Sequence, residues 1–193
     1  MPSIFCEDQI IDINWVDKEC KRVEYFTPEN ILACTRYYFD GQIPLDPATT
    51  STNPTKAERF YTLVDNGLVQ PWHRDVFVNP PYGRGIKDWA KKIREASELG
   101  TQVIALLPCG TRFSTRYWQD NILSSRLNAV CFVRGRVSFL DEYGNKIIHI
   151  DKHGKKKSSG NPYDSAIYGY NVFQDRFVEA FGRLGKTLRI EAI

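Results

Sequence analysis

Two short apolar runs, residues 75–79 and 102–107, bracket a stretch whose apolar side chains recur at Ile86, Trp89, Ala90, Ile93 and Ala96 before Gly100. The recurrence is that of a helix with one buried face, and the glycine marks its stop. A strand, a helix and a second strand in this order argue for parallel pairing across a helical crossover. No other feature narrows the possible folds so far.

The alternation extends along the chain. Thr27-Pro28 reads as the N-cap and first residue of a helix carrying Ile31, Cys34 and Tyr38, with Gly41 as its stop. Residues 43–46 read as a short strand ending on Asp46. Asn53-Pro54 opens an expected second helix with Ala57, Phe60, Tyr61 and Val64 at helical spacing and Gly67 beyond them. After the run that stops at Pro108, Ser114 can cap a helix bearing Tyr117, Trp118 and Ile122. Residues 128–133 are strand-like, and 137–140 with 146–150 read as a hairpin around 141–145. A strand at 165–172, a helix at 175–184 and a last strand at 187–193 complete the pattern. The expected class is α/β, a mostly parallel sheet with helices on both faces and a C-terminal hairpin or antiparallel strand. Residues 1–24 are expected to be an N-terminal arm, and 25–193 one domain with a basic loop at 151–162.

Composition supports such a domain. The chain has 193 residues, 42% hydrophobic and 25% charged, which suits a folded core rather than disorder. Its net charge of +3 permits a polyanionic partner without requiring one. Five cysteines without a C-x-x-C pair point to reduced thiols in the cytoplasm, not to a disulfide framework or zinc ribbon. No run reaches membrane-spanning length, and no basic-then-apolar leader opens the chain. His149 and His153 are spaced like a metal pair only if helical, and their surroundings read as strand then loop, so no metal is expected.

The chemistry concentrates where the first apolar run ends, in Asn79-Pro80-Pro81-Tyr82. The two prolines donate no N–H and have fixed φ, so the Pro80 carbonyl is aimed in advance. The Asn79 side-chain oxygen and that carbonyl can each accept one hydrogen of a planar exocyclic amine. The amine nitrogen is then drawn toward sp³ geometry, its lone pair is freed, and Tyr82 can stack on the ring. An Asn-Pro pair alone reads more readily as a turn; the preceding β-run and the following Tyr82 favour the functional reading. Asp46, in Leu45-Asp46-Pro47-Ala48, puts a carboxylate at another strand end, suited to hydroxyls or an ammonium; alone it too reads as a turn. In parallel sheets ligands bind beyond the carboxyl ends of the strands, so Asp46, Asn79 and Pro108 are expected along one edge.

Together these elements resemble the DNA adenine-amine methyltransferases of phages and prophages. Phe26-Thr27-Pro28 resembles that family's entry motif, Leu45-Asp46-Pro47-Ala48 its cofactor motif and Asn79-Pro80-Pro81-Tyr82 its catalytic motif. Asn53 with Lys56-Ala57-Glu58-Arg59-Phe60 is similar to the helix that follows the cofactor motif, and Asp65-Asn66-Gly67-Leu68…Trp72 to its linking pattern. Leu106-Leu107-Pro108 and Gly135-Arg136-Val137-Ser138-Phe139 resemble later elements. The likeness spans about residues 25–139 and, more faintly, 165–172.

The resemblance implies a reduced Rossmann-like methyltransferase fold, S-adenosyl-L-methionine as cofactor, and DNA as partner with the target adenine flipped into the pocket. It implies Asn79, Pro80, Pro81 and Tyr82 as catalytic residues and Thr27, Pro28, Asp46, Pro47, Ala48 and Asp65 as cofactor contacts. The glycine-rich cofactor loop of the superfamily is replaced by Thr49-Thr50-Ser51-Thr52-Asn53, and only 32 residues separate Asp46 from Asn79. The pocket is therefore expected to be small. Arg84, Lys87, Arg112, Arg116, Arg136, Lys155, Lys156 and Lys157 are the expected phosphate contacts, the last three equally a solvated loop. Rival readings are another planar amine (cytosine, an RNA base, a protein glutamine) and a non-catalytic nucleic-acid-binding relic. Oligomeric state and recognition sequence are not legible.

Overall fold

The computed structural model describes residues 26–83, 85–109, 113–141, 145, 148–150, 156–158 and 163–191, for 148–150 and 156–158 the backbone alone. Its elements are α1 (Glu29–Tyr38), β1 (Leu45–Asp46), β2 (Arg59–Phe60), β3 (Val76–Val78), α2 (Ile86–Glu98), β4 (Val103–Cys109), a π-helical turn (Trp118–Ile122) and β5 (Leu127–Val133). They continue with β6 (Ile148–Ile150), β7 (Lys156–Ser158), β8 (Asp164–Tyr170), α3 (Gln174–Phe181) and β9 (Gly185–Arg189).

Seven strands form one sheet in the order β2-β1-β3-β4-β8-β5-β9. The pairs β2/β1, β1/β3 and β3/β4 are parallel; β8 is antiparallel to β4 and β5, and β9 to β5. The α/β class with a largely parallel, mixed sheet is as expected and is compatible with a Rossmann-like methyltransferase fold. Alternation along the strands sends Phe77, Ile104, Leu106, Cys131 and Ile167 into one core with Ile31, Tyr38 and Phe177 from α1 and α3. Val78, Val103, Ala105, Leu107 and Tyr168 enter a second core with Trp89 and Ile93 of α2 and Trp118 of the π-helical turn. Both faces are covered, which is why the central strands read as continuous apolar runs.

α1 and α2 carry the buried stripes expected of them, and Gly41 and Gly100 follow with φ of 107° and 93°, a left-handed exit that glycine allows cheaply. Four expectations change. No helix follows Asn53: Asn53 and Lys56 take φ of 46° and 55°, which breaks the helical path. The Asn53 amide instead accepts from the Ala57 N–H at 3.1 Å and donates to the Ala57 carbonyl at 2.9 Å. Residues 59–60 pair as β2, so the apparent helical spacing of Phe60 and Val64 serves no buried face; Val64 is 94% exposed.

Pro108 does not end its strand. β4 continues to Cys109, with Pro108 opposite Ser165. The β3 pairing stops at Val78–Ala105, so beyond it one side of β4 has no strand whose ladder a missing N–H would break. The 137–140 segment does not pair with 146–150; β6 pairs with β7, and Leu140 bridges Phe26. Lys156 and Lys157 thus lie with Ser158 in a short strand, and residues 151–155 and 159–162 fall outside the described residues, as does the 1–24 arm. The helical turn expected after Ser114 begins two residues on and tightens into the π-helical turn, keeping Trp118 and Ile122 buried. No helix among the described residues is long and apolar enough to cross a membrane.

Candidate active site

β1 is two residues long and delivers Asp46 to the carboxyl edge of the sheet. Its side chain is buried. One carboxylate oxygen accepts from the Ala48 N–H at 3.0 Å and the other from the Thr55 hydroxyl at 2.8 Å. Burial still outweighs both bonds and pushes the Asp46 carboxyl up from 3.8 to about 6. A cation nearby would favour its charged form.

β3 lies beside β1 with Leu45 opposite Val76, and the chain leaves it through Asn79 at the same edge. Asn79 and Asp46 line one cleft of about 290 Å³, partly open to solvent, together with Phe26, Thr27, Thr49 and Thr50. The Asn79 amide donates to the Thr27 hydroxyl at 3.0 Å. Thr27 was expected as the N-cap of α1; the cap position is Pro28, without a side-chain cap bond, and the Thr27 hydroxyl turns to Asn79 instead.

Tyr82 is half-buried. Its hydroxyl donates to the Leu106 carbonyl at 3.2 Å, and its ring meets Phe139 edge-on at 5.9 Å. Burial pushes the phenol far above its ordinary value, so it stays neutral. The Asn79-to-Tyr82 segment is therefore tied at both ends, by Thr27 and by the backbone of β4. Pro80 is buried and Pro81 exposed.

The linking pattern proves to be a brace behind Asp46. A Cβ on Gly67 would stand 1.9 Å from the Pro47 carbonyl oxygen, so only glycine lets this loop press on the Asp46-Pro47-Ala48 turn. The Trp72 indole N–H donates to the Gly67 carbonyl at 3.0 Å, and its ring stacks on Trp89 at 6.3 Å. Asp65 is exposed and bonds within its own loop, accepting from the Thr62 N–H at 2.8 Å and hydroxyl at 2.7 Å, which hold its carboxyl below the usual range. It is not among the residues lining the cleft.

Lys87, Arg116 and Arg136 are exposed and follow the carboxyl ends of β3, β4 and β5, three strands that point the same way. They share the sheet edge that carries Asn79. Arg84, Arg112 and Lys155 lie outside the described residues, and only the backbone of Lys156 and Lys157 is described. Among the described residues there is no group of three or more His, Cys, Asp or Glu placed to hold a metal.

Thr49 and Thr50 stand in the sequence only as a departure from a glycine-rich loop, and neither Thr55 nor the pairing of Phe139 with Tyr82 is legible there. The hydroxyl-rich run after Ala48 was the available signal; the Tyr82–Phe139 contact, across 57 positions, left none. A comparison with curated proteins finds no match. The sequence profile of one family covers residues 17–179, most of the chain and all of the cleft, and by it this protein belongs to the DNA N-6-adenine-methyltransferase (Dam) family.

Proposed function

We propose that this chain transfers the methyl group of S-adenosyl-L-methionine to the N6 amine of adenine in DNA, with the base flipped out of the duplex to reach Asn79. The observation that carries the reading is the convergence of Asp46 and Asn79, from adjacent parallel strands, on one cleft. The donor set fits the cofactor: a buried carboxylate with unused lone pairs, threonine hydroxyls and the Phe26 ring suit a cationic ligand with hydroxyls and a flat base. The cofactor supplies an electrophilic methyl on a sulfonium.

Asp46 binds the cationic or hydroxyl-bearing end of the cofactor, with Pro47, Ala48 and Pro28 shaping its surroundings. Asn79 and the Pro80 carbonyl accept the two N6 hydrogens and free the nitrogen lone pair for attack. The N–C bond forms as the S–CH₃ bond breaks, leaving a neutral thioether, and the amine then loses its extra proton to solvent, so no side chain has to abstract it beforehand. Lys87, Arg116 and Arg136, with Arg84, Arg112 and Lys155 to Lys157, contact phosphates on either side of the flipped base. Asp65 shapes the cofactor site through its loop rather than by direct contact, in keeping with its bonds to Thr62.

The test is to incubate a random-sequence duplex pool with methyl-labelled cofactor and hydrolyse it to nucleosides. Label in N6-methyladenine is the expected result. Label in a cytosine derivative would reassign the substrate, and no label with intact cofactor binding would make the protein a binding relic.

A further inference from the structure

Thr27 stands at the junction of two constraints. On one side Phe26 and Leu140 exchange a pair of backbone hydrogen bonds, 2.9 and 3.0 Å, joining segments 114 positions apart. On the other, Pro28 opens α1, its carbonyl accepting from the N–H groups of Ile31 at 3.0 Å and Leu32 at 3.2 Å. Ile31 and Leu32 are buried in the core, so the helix start cannot drift. Thr27 itself is buried, and its hydroxyl, unused as a helix cap, accepts the Asn79 amide hydrogen.

A carboxamide has a donor end and an acceptor end, and the proposed chemistry needs the acceptor presented to the amine. With the NH₂ end turned to the target, donor would face donor. We propose that Thr27 is a positioning residue for the methyl-transfer reaction: its hydroxyl engages the Asn79 NH₂, so that the amide oxygen is presented to the N6 amine, and the Phe26–Leu140 bridge holds it in place. This rests on the reading of Asn79 given above. It moves Thr27 from cofactor contact to partner of Asn79, although Thr27 also lines the cleft. It also gives the Gly135-to-Phe139 stretch a part in the site. That stretch runs into the Leu140 bridge and brings Phe139 against Tyr82, so one segment steadies both ends of the Asn79-to-Tyr82 turn.

The experiment compares Thr27→Val, which keeps the shape and removes the hydroxyl, with Thr27→Ser, which keeps the hydroxyl. Single-turnover transfer to DNA is measured at saturating S-adenosyl-L-methionine, and cofactor affinity is measured separately by titration. Thr27→Val should slow transfer by about tenfold to a hundredfold, as expected for a misaimed group, with cofactor affinity within a few-fold of wild type. Thr27→Ser should recover most of the rate. If Thr27→Val does not fold, Thr27→Ala replaces it with the same expectation. A wild-type rate in Thr27→Val, equal slowing in Thr27→Ser, or a defect abolished by excess cofactor would each overturn the proposal. Failure of the underlying reading is distinguishable, because it shows as activity retained in Asn79→Ala whatever Thr27 does.

Discussion

The sheet divides into halves built by different means. β1, β2 and β3 are two, two and three residues long, whereas β4, β5 and β8 have seven each. The long half is held by backbone ladders and alternating apolar side chains. The short half, which carries the cleft, is held by side-chain bonds to loops: Asp46 to Ala48 and Thr55, Asn53 to Ala57, Trp72 to Gly67. Stability therefore rests mainly on one side and ligand geometry on the other.

The largest expected effect belongs to the apolar half. Phe177→Ala, on the buried face of α3, should cost about 3–5 kcal/mol in denaturant unfolding. Cofactor affinity, measured where the variant is still folded, should stay near wild type. Parallel loss of both would show that the halves are not separable.

Gly67→Ala tests the opposite case. Its Cβ cannot coexist with the Pro47 carbonyl in the present geometry. Moving the loop should cost about 1–3 kcal/mol, the range for overpacking, and should lower cofactor affinity more than tenfold as the Asp46 turn shifts. Unchanged affinity would mean that the brace does not shape the site.

Asp46→Asn should separate binding from stability in sign. A carboxyl raised from 3.8 to about 6 holds its proton more tightly in the fold, so it favours folding below about pH 4 and loses that contribution as pH rises through 6. At pH 7 the Asn variant should be more stable than wild type. The ceiling is about 3 kcal/mol, reduced to roughly 1–2 by weaker bonds from Ala48 and Thr55. The gain should shrink toward zero near pH 4, and cofactor affinity should fall at pH 7. Wild-type affinity should itself improve as pH rises through 6, and a flat profile would argue against a carboxylate contact.

The smallest effect concerns DNA. Replacing Lys87, Arg116 and Arg136 together with alanine should weaken duplex binding alike across sequences and flatten its salt dependence by up to about three counterions. An unchanged salt slope would remove this sheet edge from the DNA interface.

These contrasts also explain what was legible in the sequence. The long half repeats a strong local signal, so α2, β4 and β5 could be read from periodicity, and Pro108 misled only about where β4 stops. The short half depends on contacts between distant segments. Asn53 and Lys56 take left-handed conformations that hydrophobic spacing does not encode, so residues 53–67 read as a helix. Asp46 and Asn79 were legible because strand ends and proline turns are local chemistry, and the parallel topology then brings them together. The use of Thr27 was hidden, because Thr-Pro before a helix has the same sequence signature whether its hydroxyl caps the helix or reaches Asn79.

On the proposed reading Asn79 acts on the target amine, while Asp46 and its neighbouring threonine hydroxyls hold the cofactor. Asn79→Ala tests it when titrated with S-adenosyl-L-methionine and assayed for single-turnover methyl transfer on the same preparation. Affinity is expected within a few-fold of wild type and transfer slowed at least a hundredfold, about 3 kcal/mol of lost transition-state stabilisation. Transfer at the wild-type rate, or cofactor affinity falling in step with the rate, would contradict it.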